Sequence, residues 1–237
     1  MPPAGLAGPI TMESLLYLLG LQKAAELAAF TDDAETAARY LTRADAIRAA
    51  VRRHCMNTDG FITDGPHNAQ YSQHCQVFGT LTGVLTKEEG RQRLIETIRD
   101  KSIPQCTVAM CFYLFRALEM TGLYEYTDQY LNIWRRMIDN GCTTTIESEG
   151  YSRSECHAWG TLILYELPSA VLGVHPGAPG YSTIEVCPNP GVLRYASGSV
   201  RTPNGPVQVA WTLTENGLKI HIDGDPDIKR RISIKTA

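Results

Sequence analysis

Between Gly141 and Gly160 the chain gathers three carboxylates, Glu147, Glu149 and Glu155, an imidazole, His157, and an indole, Trp159, in one polar island flanked by apolar helical stretches. Carboxylates and imidazoles are the usual carriers of general acid–base chemistry near neutral pH. An amphipathic ring beside them can stack on a sugar face or plug a core. Read on residue types alone, Glu147 or Glu149 can take a proton from water, or either can be a solvated loop acid. His157 can touch a substrate or serve as a capping or core histidine.

The elements expected to hold this island are two helices. The amphipathic run Tyr126 to Asn140 ends at Gly141, and glycine commonly sits just beyond a helix end. Ser152 and Glu155 have the spacing of a capping box, which predicts a helix with His157 and Trp159 in its first turns. Glu147 and Glu149 then lie on the loop leading into it, a usual position for functional groups on a rigid scaffold.

The 237 residues, 43% of them hydrophobic, are enough for one large domain or two modest ones. A net charge of -3 and short, scattered basic pieces give no footprint for nucleic acid. No apolar stretch has the length needed to span a bilayer, and Met1 to Leu6 lacks the features of a signal peptide. The seven cysteines form no Cys-x-x-Cys pair and fall mainly in apolar runs, so they read as small buried residues. His74 beside Cys75, and Cys156 beside His157, do not share a helix face, so neither a metal nor another cofactor is expected.

From residue 11 to about 173 the pattern is a succession of helices. Met12 to Phe30 is apolar nearly all round at its start, so that end is expected to be buried. Asp32 and Glu35 mark the next start, followed by an amphipathic run from Ala37 to Cys55. Ser72 to Leu85 is mostly apolar, Lys87 to Asp100 is charged with one apolar edge, Cys106 to Met120 is apolar again, and Thr127 to Asn140 has one apolar face. Alternation between buried and half-exposed helices fits two concentric layers, as in an α/α toroid; an irregular array or a solenoid of helix pairs also produces it. Past Pro168 and Gly173 the chain turns to β. Thr183 to Val186, Leu193 to Arg201, Val207 to Leu213, Leu218 to Ile222 and Ile228 to Ile234 read as strands, with Asn204-Gly205 and Asn216-Gly217 at hairpin joins.

The segments Gly141 to Glu147, Arg153 to Trp159, Leu172-Gly173-Val174 and Pro179-Gly180 resemble the C-terminal part of α-L-rhamnosidases of glycoside hydrolase family 78. Ser72 to Gln76, and the tail from Gly198 to Val209, are similar to the same family. The resemblance implies a mainly α chain with a C-terminal all-β domain: a partial (α/α)6 six-hairpin toroid over residues 1–178, then a small antiparallel β-sandwich over 179–237. It implies inverting hydrolysis of terminal α-L-rhamnose from glycosides, with Glu147 as general base and His157 touching the sugar. Trp159 and Glu149 are further candidates for substrate contact. About seven helices stand where a full toroid needs twelve, and nothing matches the family's acid-bearing segment. The expected partners are therefore a rhamnose-containing glycoside and an N-terminal half of the barrel, with no nucleic acid or membrane. Another toroidal glycosidase or lyase, or a non-catalytic carbohydrate-binding or assembly module, fits the same residues without the resemblance.

Overall fold

The computed structural model describes residues 8–148, 154–224 and 232–234. The chain divides into two compact units, one running to Leu123 and the other starting at Tyr124.

The first unit is a double layer of helical hairpins. Helix α1 (Thr11–Phe30) packs against α2 (Ala34–His54) and α3 (Gln73–Leu81). Helix α3 in turn packs against α4 (Lys87–Arg99) and α5 (Cys111–Met120). Residue chemistry sets the layering. Every residue from Gln73 to Thr80 is buried, whereas α2 buries only Ala37, Ala44 and Val51, and α4 only Gly90, Leu94, Thr97 and Ile98. The predicted alternation is thus present. Thr86 and Glu89 close a reciprocal capping box at the start of α4, satisfying two amides that a helix end leaves open. Helix α2 is capped by Asp33, whose carboxylate accepts from the Thr36 N–H. Asp32, expected at this start, instead takes a left-handed turn with φ of 59°. The register decides, because only Asp33 stands three residues before that amide.

Helix α1 departs from the expectation of burial at its start. Leu15, Leu18 and Leu21 are buried, but Leu16, Tyr17, Leu27 and Phe30 are 38%, 53%, 64% and 69% exposed. An apolar helix covered on one side only leaves such a stripe.

Two glutamines of α3 act as backbone clamps. The Gln76 side chain accepts from the Ile62 N–H at 3.0 Å and donates to the Ile62 carbonyl at 2.8 Å, imitating a strand partner. The Gln73 carboxamide accepts from the Cys106 N–H at 2.9 Å. These bonds hold the α2–α3 and α4–α5 loops against the start of α3. They give the Ser72 to Gln76 stretch a structural role.

His74, in the same turn, is 6% exposed, and its Nδ1 has no hydrogen-bond partner among the described residues. Burial lowers its pKa from 6.5 to about 4. Between those values the unfolded chain binds more protons than the folded one, so stability falls as pH drops from 6.5 towards 4. The shift corresponds to about 3 kcal/mol. Buried Asp64 acts in the opposite sense: desolvation raises its pKa despite the Ser72 hydroxyl at 2.7 Å, so its contribution falls as pH rises past 3.8. Urea unfolding at pH 7 and pH 4.5 should therefore show His74→Gln losing much less stability on acidification than the parent. An equal loss in both would remove His74 as the cause.

The second unit opens with a turn at Tyr124–Tyr126 and helix α6 (Thr127–Asp139), whose Tyr130, Ile133, Trp134 and Met137 form one buried face. A short helix α7 (Leu162–Glu166) then widens into a single π turn at Leu167–Val171. Pro168 lacks the amide that would continue the ordinary ladder, and the Leu172 N–H bonds to the Leu167 carbonyl five residues back.

Two three-stranded sheets follow. The first pairs β1 (Val174–Pro176) with β2 (Ile184–Val186), and β2 with β6 (Ile232–Ile234); the second is the meander β3 (Tyr195–Thr202), β4 (Gly205–Thr214) and β5 (Gly217–Asp223). All pairings run antiparallel except β2 with β6, which is parallel. Strand β1 was not expected from the proline-rich sequence; its pairing carries the β region back to Val174. Residues 228–231 of the predicted last strand lie outside the described residues. Val174, Ile184, Val186, Val207, Val209 and Trp211 pack as one core.

Candidate active-site loop

The loop after α6 is anchored at both ends. Helix α6 stops in a Schellman turn: the Gly141 N–H bonds to Ile138 O and the Cys142 N–H to Met137 O, with Gly141 at φ of 69°. This left-handed position favours glycine, as the sequence predicted.

Beyond it the chain folds back on itself. The His157 N–H donates to Thr145 O at 2.8 Å, and the Thr145 hydroxyl returns a bond to His157 O at 2.7 Å. The Glu147 N–H donates to Ser154 O at 3.0 Å, and Trp159 Nε1–H to Glu147 O at 3.2 Å. Glu147, His157 and Trp159 are thereby held on one folded strip of backbone. The imidazole and indole rings lie with centroids 3.9 Å apart, tilted by 43°. Glu147 and His157 are half-buried, and Trp159 is 46% exposed, leaving an indole face open to solvent. A partly exposed ring packed on an imidazole, on the same backbone strip as a half-buried glutamate, can cradle a hydrophilic molecule with one apolar face.

Glu149 lies outside the described residues, as do Arg153 and the Ser152 of the predicted capping box. The helix start is corrected: the helical turn begins at Ala158, with His157 extended at φ of -122° as its cap residue. Trp159 is in that first turn as expected, but His157 stands just before it. The cause is the Thr145–His157 pairing, which holds His157 in extended backbone.

Two contacts that the sequence reading missed brace this region, one fastening the strip to α6 and the other joining the turn before α6 to α7. Trp134 Nε1–H donates to Gly160 O at 2.7 Å in a buried bond. Tyr124 Oη–H donates to buried Glu166 at 2.6 Å. A lone acid in the apolar run Leu162 to Val171 was the available signal for Glu166. Gly160 itself sits where a side chain has no room: an added Cβ would lie 2.6 Å from Thr145 Cβ and 3.1 Å from Ile146 O. Gly160→Ala should lower stability by about 1–3 kcal/mol, as overpacking does. Chemical denaturation checks this, and an unchanged midpoint would show that the strip can give way.

Comparison with known proteins places this geometry in a family. Residues 10–171 match the bacterial alpha-L-rhamnosidase 6 hairpin glycosidase domain, and residues 173–224 match the bacterial alpha-L-rhamnosidase C-terminal domain. A GH78 family rhamnosidase of Bacillus sp. GL1 aligns with 97% of this chain at 26% identity and a TM-score of 0.81. An alpha-L-rhamnosidase of Streptomyces avermitilis, solved in complex with L-rhamnose, shares the fold over 90% of this chain at 20% identity and a TM-score of 0.71. An alpha-L-rhamnosidase of Alteromonas sp. (strain LOR) is 32% identical over 104 residues, 38% of this chain.

The helical region is thus part of an (α/α)6 six-hairpin glycosidase domain, followed by a C-terminal β domain. The chain belongs to the α-L-rhamnosidases of glycoside hydrolase family 78. It spans 26% of the Bacillus protein, 22% of the Streptomyces protein and 11% of the Alteromonas protein.

Proposed function

We propose that this chain supplies the general-base side of an inverting α-L-rhamnosidase and acts on terminal α-L-rhamnose of glycosides. Glu147 takes a proton from the attacking water. Water adds to the anomeric carbon on the face opposite the leaving group, and a separate acid protonates the departing oxygen. Inversion needs the two carboxyl groups roughly 6.5–9.5 Å apart so that the water fits between base and sugar. His157 and Trp159 contact the sugar, and Glu149 is kept as a further contact. The observation that carries this reading is the backbone strip that holds Glu147, His157 and Trp159 together inside the matched hairpin domain.

The acid belongs to a helical segment that this chain does not contain, and residues 1–178 and 179–237 are the helical and β parts of the larger enzyme. The exposed apolar stripe of α1 is where further hairpins of that enzyme would pack. On an aryl α-L-rhamnoside, the chain alone should turn over about 10²–10⁴-fold more slowly than the chain completed by an acid-bearing half, the usual contribution of general acid help. Equal rates would refute the division of acid and base.

A further inference from the structure

Three threonines stand in a row at the start of the loop, and only the last turns inward: Thr143 and Thr144 are exposed, whereas Thr145 is half-buried. It holds both backbone groups of His157. Its carbonyl accepts from the His157 N–H at 2.8 Å, and its hydroxyl donates to the His157 carbonyl at 2.7 Å. Directly opposed residues of an antiparallel pair exchange two backbone bonds. Here a side-chain hydroxyl gives the second of them, so the pairing depends on the residue type at 145 as well as on the path of the backbone.

The other side of Thr145 is fixed independently. Gly160 lies so close that a Cβ built on it would stand 2.6 Å from Thr145 Cβ and 2.9 Å from the hydroxyl oxygen. Gly160 is itself tied to α6 by Trp134 Nε1–H, and its N–H donates to the His157 carbonyl at 3.1 Å. Thr145 is thus seated between a braced glycine and the main chain of His157. That main chain is held at φ of -122° and ψ of 119°, with the imidazole centroid 3.9 Å from the Trp159 ring.

We propose that Thr145 is a positioning residue of the sugar-binding site: its hydroxyl sets the direction in which the His157 imidazole meets the substrate. This rests on the reading of His157 as a sugar contact. Without the hydroxyl, the His157 carbonyl is left with the Gly160 N–H as its donor among the described residues. The peptide after His157 then turns more freely, and the imidazole leaves the orientation in which it packs on the indole. Misplacing a binding group by about 1 Å can cost about 10²-fold. His157 stays tethered at its N–H, so a smaller loss is expected here.

The test is steady-state kinetics on an aryl α-L-rhamnoside with the chain completed by its acid-bearing half. Thr145→Val keeps the shape of the side chain and removes the donor, and Thr145→Ala removes it with less bulk against Gly160. Each should raise KM about tenfold, whereas Thr145→Ser, which keeps the hydroxyl, should stay within about threefold of the parent. A purely structural role does not give this pattern, because a smaller folded fraction lowers the apparent kcat and leaves KM where it was. In a His157→Ala background, Thr145→Val should add little to KM, since the two substitutions act on one contact. A parental KM in Thr145→Val and Thr145→Ala, beside a raised KM in His157→Ala, would overturn the positioning role alone. So would Thr145→Ser as impaired as Thr145→Val, or full additivity with His157→Ala. An unchanged KM in His157→Ala would instead refute the sugar contact itself, and the positioning role would fall with it.

Discussion

Glu147→Gln should lower turnover of an aryl α-L-rhamnoside about 10²–10⁴-fold in the chain completed by its acid-bearing half, the range expected for removing a general base. The substitution keeps shape and hydrogen-bonding capacity while deleting the proton acceptor. It leaves intact the two backbone bonds that hold residue 147, its N–H to Ser154 O and its carbonyl to Trp159 Nε1. The loss should therefore fall on kcat, with KM nearly unchanged, because the water is activated in the transition state while sugar contacts are made in the ground state as well. His157→Ala and Trp159→Ala remove contacts to the bound sugar and should raise KM too. Steady-state kinetics on the three variants distinguish these roles. A KM effect alone at Glu147 would make it a binding residue.

Trp211→Ala should destabilise the second unit by about 3–5 kcal/mol, the usual result of truncating a fully buried aromatic residue. Trp211 is 2% exposed at the centre of the core formed by the two sheets, and its Nε1–H donates to the Val171 carbonyl at 2.8 Å. That bond joins β4 to the end of the π turn, just before the chain enters β1. Truncation therefore opens a cavity and leaves a buried carbonyl without its donor. A Tm fall of several degrees is expected, and Trp211→Phe, which keeps a ring but not the donor, should fall between. A Tm unchanged in Trp211→Ala would mean that the β core closes without this ring.

The parts of the fold that were legible in the sequence are those specified locally. The apolar spacing in α2 and α6 and the glycine after α6 carry their own signals, and the boundaries found differ from those expected by a residue or two. The contacts that shape the loop were not legible, because they depend on which distant segments meet. Nothing local tells that Gln76 will clamp Ile62, or that the Trp134 indole will reach Gly160. The helix start shows the conflict directly. Serine and glutamate at capping spacing favour a start near residue 153, but Ser154 to His157 are not helical, and the pairing of Thr145 with His157 holds His157 extended just before Ala158. Strand β1 was hidden for a similar reason. A proline-rich segment has little strand propensity of its own and becomes a strand because β2 lies beside it.

Of the candidate site, the sequence singled out Glu147, His157 and Trp159 on one loop, and their roles there are the ones proposed above. The folded strip brings Glu147, His157 and Trp159 together, and the tie between the backbone at 147 and the indole at 159 adds a constraint that the sequence could not supply.

The most direct measurement follows the anomeric configuration of the sugar released during the first turnovers of the completed enzyme by proton NMR. If Glu147 activates water opposite the leaving group, β-L-rhamnose appears first and equilibrates to the α form only later, and Glu147→Gln slows its production by about 10²–10⁴-fold. Release of α-L-rhamnose first, or an undiminished rate in Glu147→Gln, would contradict the assignment of that carboxylate as the base.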